Sequence, residues 1–286
     1  MGEKHEGGGI IRTLRVAGIQ FAAFEEKERN VNKARELATL AVEKGAAIVS
    51  FAELCTTPWF PSREASGSDE HTKLAETIPG PATEEFSSIA KASGAVFVLP
   101  IYEVSGDSYF NSAAVIDADG SLLGAYRKIH LPRLPLWYEK DYFTPGNTGF
   151  PVFKTKHGVI GVQICWDNFF PEGPRALGLA GAEILITPTA SAMKTFDRWE
   201  KVISSHAITN LFFALRVNRA GSEPFQDFYG ESFCVTPEGE MVGTPAGMDD
   251  SVSLFDIDLE EVARSRKLWP YYEDRRPETY GILAKK

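Results

Sequence analysis

The chain predicts an α/β fold with a mixed sheet, and three observations carry that reading. Short apolar, β-branched runs alternate with stretches of helical spacing along its length. Strand pairs separated only by turn residues, as around Asp117-Ala118-Asp119-Gly120, add hairpins to the alternating pattern. No internal repeat and no Gly/Ser-rich linker divides the 286 residues, so residues 11–286 are expected as one domain behind a flexible tail of residues 1–10.

Residues 14–20 read as the first strand. Val31, Ala34, Ala38, Ala41 and Val42 then recur at helical spacing until Lys44-Gly45 closes the helix. A second apolar strand over 46–51 delivers Glu53 at its end. Residues 56–81 carry four prolines and much Ser, Gly and Asp, which makes them a long surface loop. A helix over 83–92 leads into a strand over 96–102. The hairpin of 113–117 and 122–126 follows, and its second strand delivers Arg127-Lys128. Residues 130–151 form another long loop, rich in proline and aromatics. The run Val159-Ile160-Gly161-Val162-Gln163-Ile164 is the most strand-like in the chain and stops abruptly on Cys165. Pro171-Glu172 opens the next helix, over 174–180, because proline sacrifices no hydrogen bond there and a carboxylate suits the positive helix end. A strand over 184–187, a helical stripe of Trp199, Val202, Ile203, His206 and Ala207, and a strand over 212–217 come next. A strand over 232–236 turns at Pro237-Glu238-Gly239 into Met241-Val242. The last strand covers 251–257, and an aromatic, charged tail runs from Leu268.

The formal net charge of −9, with no basic run to offset it, argues against nucleic acid or an anionic membrane as partner. No apolar stretch approaches the ~20 residues that span a membrane, and the polar, glycine-rich start does not resemble a signal peptide. Cys55, Cys165 and Cys234 are an odd number without short metal spacing, and the five histidines are scattered. Neither a disulfide scaffold nor a metal or other cofactor is expected, and a reducing cytoplasm is the default.

Glu53, Lys128 and Cys165 each follow directly on an apolar strand, where ligand sites gather in sheets of this type. Taken singly, each has a plainer reading: a solvated charge at a strand end, or a packing cysteine. Together they form a complete acyl-transfer set. The carboxylate takes the thiol proton and later hands it to a leaving nitrogen. The ammonium stabilises the oxyanion, and the backbone N–H of Trp166 is a second donor, typically worth about 10²–10³ in rate. A sulfur at the rim of a sheet, beside N–H groups and a cation, is expected to ionise readily. A histidine base (His130, His157 or His206) is the alternative mechanism, although His206 lies on an apolar stripe and reads as core. A chain that binds without turnover is a third possibility, which the intact trio opposes.

Three segments also resemble the carbon–nitrogen hydrolases of the nitrilase superfamily, in the order that family shows. They are Phe51-Ala52-Glu53, Tyr126-Arg127-Lys128-Ile129-His130-Leu131-Pro132, and Cys165-Trp166-Asp167-Asn168-Phe169-Phe170-Pro171-Glu172. The likeness covers nearly the whole chain from about Arg15. It implies a four-layer α-β-β-α sandwich with mixed β-sheets. It also implies Cys165 as nucleophile, Glu53 as general base, Lys128 as oxyanion-stabilising cation and Glu139 as a second glutamate. Ala52 departs from the proline common before that glutamate.

The segments 139–150 and 274–280 place the resemblance nearest the N-carbamoylputrescine amidase and β-ureidopropionase-like branch. A small amide or ureido substrate is therefore expected, with an aliphatic amidase or nitrilase as the alternative. Trp59, Phe60, Trp137, Tyr138, Trp166, Phe169, Ala190 and Met193 are candidate pocket walls. Carbamoyl-amino-acid hydrolases of the superfamily place an arginine just after the cysteine motif's aspartate, where this chain has Asn168-Phe169-Phe170. An amine or neutral substrate tail is expected on that ground, unless Arg133, Lys194 or Arg198 reaches in from a loop. Relatives are commonly homodimers or larger, and the tail over 268–280 is a candidate contact.

Overall fold

The computed structural model describes residues 13–67, 69–192 and 196–285. Alternation within the first strand already sorts the layers. In β1 (Thr13–Gln20), Leu14 and Val16 face the core between two sheets, while Ala17 and Ile19 face helices on the outside. The outer cover comes from α1 (Lys27–Glu43), through the stripe Ala34, Ala38 and Ala41. In β2 (Ile48–Phe51), Ile48 turns inward and Val49 and Phe51 turn outward. A second outer helix, α2 (Pro81–Ser93), starts on proline and stops at Gly94, whose φ of +73° suits glycine. Three strands extend the sheet: β3 (Val96–Ser105), β4 (Ser108–Ile116) and β5 (Leu122–Arg127).

The second half repeats the plan with β6 (Val152–Thr155), β7 (Gly158–Val162), α3 (Glu172–Leu179), β8 (Ile184–Thr189), α4 (Phe196–Asn210) and β9 (Phe213–Asn218). A separate hairpin, β10 (Ala220–Glu223) and β11 (Gln226–Tyr229), precedes β12 (Phe233–Val235). The chain then crosses back through β13 (Ser251–Asp258) and ends on α5 (Glu260–Leu268) and its tail. One sheet has the order β13-β1-β2-β3-β4-β5 and the other β12-β9-β8-β7-β6. Gly18 of β1 faces Val217 and Leu215 of β9, so the two sheets approach closely there. On the far side, Leu177 of α3 packs over Gly161 of β7, and α4 buries Trp199, Ile203 and Ala207. This is the expected four-layer α-β-β-α sandwich with mixed sheets. Among the described residues, no helix is long and apolar enough to cross a membrane.

Strand direction positions the site. β1, β2 and β3 run parallel, and β4 and β5 each reverse, so β5 points the same way as β2. Residues just past β2 and β5 therefore emerge at one end of the sheet.

Three elements depart from the reading of the sequence. The strand expected at 113–117 begins at Ser108, because Gly106, at φ +59°, turns a tight hairpin out of β3. β6 and the β10–β11 hairpin were not expected; each strand is four residues long, below the length at which alternation shows. α5 buries only Val262 and Ser265, too little apolar surface to mark a stripe.

Candidate active site

Glu53, Lys128 and Glu139 meet at that sheet end, all fully or almost fully buried. The Lys128 ammonium, directly after β5, donates to Glu53 Oε1 at 2.7 Å and to both Glu139 oxygens at 2.7 Å. Glu139 comes from a short 3-10 turn, Glu139–Asp141, inside the loop that follows β5. Asn111 of β4 adds a hydrogen bond from its Nδ2 to Glu53 Oε1 at 2.7 Å. Glu53 Oε2 is buried without a partner among the described residues. One carboxylate oxygen is thus tied to the lysine and the other is available. Burial alone would lower the Lys128 pKa, but Glu139 and Glu53 outweigh it and hold the lysine charged. Burial pushes the Glu139 carboxyl upward against the pull of Lys128.

Cys165 leaves the end of β7 through Gln163 and Ile164 and starts a 3-10 turn, Cys165–Phe169. Its φ of +46° lies in the left-handed region, an uncommon conformation for a residue with a Cβ. Buried groups hold that elbow. Asp167 accepts hydrogen bonds from the Tyr126 hydroxyl at 2.7 Å, the His130 backbone N–H at 2.8 Å and the Ile164 N–H at 3.2 Å. It also lies 2.8 Å from His130 Nδ1. Asn168 Nδ2 donates to the Cys165 carbonyl at 2.9 Å. His206 Nε2 pairs with the Asn168 carbonyl at 2.7 Å.

The thiol does not ionise readily, contrary to the expectation from its place at a sheet rim. It is only 5% exposed, and burial, followed by the negative charge of Glu53, pushes its pKa well up. Lys128 and a hydrogen bond from the Ala190 backbone pull the other way and lose. The histidine alternatives are engaged elsewhere: His130 with Asp167, His157 with the Gly94 carbonyl and His206 with Asn168.

Cys165 opens on a cavity of about 70 Å³ lined by Trp137, Trp166, Phe169, Ala190, Arg198 and Trp199, with Pro132, Leu134 and Ser191. Trp137 Nε1 donates to the Ala190 carbonyl at 3.0 Å, which fixes one wall. The structure thus brings Trp137, Trp166, Phe169 and Ala190 to the sulfur. It sends Trp59 and Phe60 to a separate hollow of about 290 Å³, under Tyr142 and Phe225. Trp59 is held there by its N–H on Glu223 Oε2 at 2.6 Å and its indole N–H on the Leu136 carbonyl at 3.0 Å. Tyr138 lies under the Arg133 guanidinium and lines neither space. Met193 and Lys194 lie outside the described residues.

Sequence reasoning missed Asn111 and Arg219. Asn111 lies two residues before the strand expected at 113–117, between Phe110 and Ser112, and the apolar pattern did not single it out. Arg219 follows β9, is buried, and donates to the carbonyls of Glu53, Leu54 and Thr57 at 2.9, 3.0 and 2.9 Å. It clamps the segment that carries Glu53, and nothing in its local sequence announced that.

The carbon-nitrogen hydrolase family model matches residues 15–267. The chain is similar to an N-carbamoylputrescine amidase of Solanum lycopersicum, 38% identical over 95% of this chain and 95% of that protein. It is also similar to a citrullinase of Francisella tularensis, 33% identical over 96% of this chain and all of that one. Among solved structures, a carbon-nitrogen hydrolase from Helicobacter pylori G27 superposes with a TM-score of 0.90 at 31% identity, covering 96% of this chain and 99% of that chain. With the sandwich, the strand-end cluster and these likenesses together, the chain belongs to the carbon–nitrogen hydrolases of the nitrilase superfamily.

Proposed function

We propose that the chain hydrolyses the ureido group of an N-carbamoyl amine, releasing an amine, carbon dioxide and ammonia through a thioester on Cys165. The observation that carries this reading is the Lys128 ammonium shared by Glu53 and Glu139, with one Glu53 oxygen left unpartnered beside a buried thiol. Glu53 accepts the Cys165 proton as the sulfur attacks the carbonyl. Lys128 and the Trp166 N–H hold the oxyanion, Glu139 keeps Lys128 in place, and Glu53 returns the proton to the departing nitrogen. Water, activated by Glu53, then cleaves this S-carbamoyl thioester to a carbamic acid, which breaks down into carbon dioxide and the remaining amine or ammonia. The ureido group is what the named substrates of the Solanum and Francisella relatives have in common.

A second reading, an aliphatic amidase or nitrilase using the same trio, is favoured by the small cavity, which suits a short amide equally well. Ammonia and carbon dioxide release separate the two. The panel comprises an N-carbamoyl amine, an N-carbamoyl amino acid, an aliphatic amide and a nitrile, assayed with wild type and Cys165→Ala. Turnover of a carbamoyl compound with both products, abolished in the variant, is expected. Activity on the amide or nitrile alone moves the chain to the second reading, and activity surviving in Cys165→Ala removes the nucleophile assignment. A cytoplasmic setting belongs to the same proposal, supported by three cysteines that are all free and buried. So does a homodimer or larger assembly, supported by apolar side chains exposed on the tail, among them Ile282 and Leu283.

A further inference from the structure

The ureido reading describes the head of the substrate and leaves its far end open. The cavity at Cys165 is small enough that any longer substrate must extend past its mouth. Four aromatic rings, Trp137, Trp166, Phe169 and Trp199, line it. Among the described residues that line it there is no aspartate or glutamate, and Arg198 is the only charged one. Arg198 is exposed, and among the described residues its guanidinium has no hydrogen-bond or ion-pair partner. Arg133, the other described candidate cation, is already paired with Glu64 and Asp141.

Two further positive contributions point the same way. Arg198 is the third residue of α4, where the helix end is itself positive and a cation gains nothing from the helix. Behind the cavity wall, the buried Arg216 guanidinium sits 4.9 Å from the Trp199 ring. It donates to the Tyr229 hydroxyl at 2.9 Å and the Glu231 carbonyl at 3.4 Å rather than to a carboxylate, and its Nε has no partner among the described residues. The acids of the site, Glu53 and Glu139, lie at the reacting end and are tied to Lys128. Asp197 adjoins Arg198 on the helix but does not line the cavity.

An ammonium tail would meet a guanidinium at this mouth with no carboxylate to receive it. A carboxylate would meet a planar fork of donors matched to its two oxygens. We propose that Arg198 selects substrates whose far end is a carboxylate, so that the substrate class is an ω-ureido carboxylic acid rather than a carbamoylated diamine. The proposal rests on the ureido reading for its head group. It reverses the expectation drawn from Asn168-Phe169-Phe170, because the arginine absent after the cysteine motif is supplied instead by the first turn of α4.

The test compares kcat/KM for γ-ureidobutyrate, butylurea and N-carbamoylputrescine, which share a head and differ in the charge of the tail. The wild type is expected to prefer γ-ureidobutyrate over butylurea by roughly tenfold or more, the scale of a charge-assisted contact, and to rank N-carbamoylputrescine last. In Arg198→Gln the ratio of γ-ureidobutyrate to butylurea should fall toward one, mainly through KM. Arg198→Lys should keep part of the preference, since it retains charge but not the fork, and Arg198→Glu should move it toward N-carbamoylputrescine. Equal or better wild-type turnover of N-carbamoylputrescine or butylurea would overturn the proposal, as would an unchanged ratio in Arg198→Gln. If all three ureido compounds are inert, the head-group reading fails, and succinamate against butyramide then decides Arg198 separately. A carboxylate preference lost in Arg198→Gln upholds its role, and no preference removes it.

Discussion

Two buried carboxylates share one ammonium, and that count of charges explains the resting thiol. Glu53, Glu139 and Lys128 together carry one excess negative charge when all are ionised, so a thiolate at Cys165 would add a second in a water-poor site. Base-assisted attack, in which Glu53 removes the proton only as the carbonyl is engaged, avoids that state. Replacing Glu53 by Gln keeps the shape but removes the acceptor, and turnover is expected to fall by about 10³-fold or more with the fold retained by circular dichroism. Lys128→Met instead leaves two carboxylates without their cation. It should cost about 3–5 kcal/mol of stability at neutral pH, measured by denaturant unfolding, besides abolishing turnover. His206 takes up a proton less readily than a histidine in water. Burial lowers its pKa from the ordinary 6.5, so the unfolded chain takes up a proton before the folded one does. Its contribution is complete above about pH 6.5 and is lost as the pH falls below that value toward the folded pKa. His206→Gln is expected to flatten the dependence of Tm on pH over that window; an unchanged slope would assign the acid sensitivity elsewhere.

Elements reach the site through their ends, so the segments that fix those ends matter as much as the strands. Gly146 donates its N–H to the Lys128 carbonyl at 2.8 Å, and a Cβ there would stand 2.0 Å from the Arg127 carbonyl oxygen. Gly146→Ala must therefore displace the end of β5. Because a misplacement of about 1 Å can cost ~10² in rate, kcat is expected to drop roughly tenfold to a hundredfold. Steady-state kinetics alongside thermal melting would show whether the loss in rate exceeds what unfolding explains. The elbow at Cys165 follows the same logic in a different medium: Asp167, Asn168 and His206 hold a left-handed residue in place by hydrogen bonds rather than by excluding a side chain.

At the scale of the whole molecule, the two sheets stack through facing apolar strands, while the chain end leaves apolar groups in water. Ile282 and Leu283 are 71% and 64% exposed, and Leu268 is 66% exposed. Replacing Ile282 and Leu283 by Glu is expected to lower the mass seen by light scattering toward that of a single chain, with little change in the melting of the sandwich. A mass unaffected by the substitutions would locate assembly on another face. The close approach of Gly18 to Val217 gives the opposite case, an interior contact with no room to spare. There Gly18→Leu should cost about 1–3 kcal/mol by overpacking, read as a lower unfolding midpoint.

Neighbouring residues alone decide which runs alternate, where they stop, and which reactive residue stands at each stop. Glu53, Lys128 and Cys165 were legible because each follows an apolar strand, and strand periodicity is a property of adjacent residues. Glu139 became legible only through resemblance, since it sits on a turn within a loop. Tertiary structure decided the rest. It placed Trp59 and Phe60 in a different hollow from Trp137, although all three are aromatic residues of long loops. It brought Asn111 and Arg219 to Glu53 from β4 and from the end of β9, and Arg198 to the mouth of the Cys165 cavity from α4. It also reversed the expected state of the thiol. Burial and the summed field of charges distant in sequence set a pKa, and neither exists until the sheets have packed.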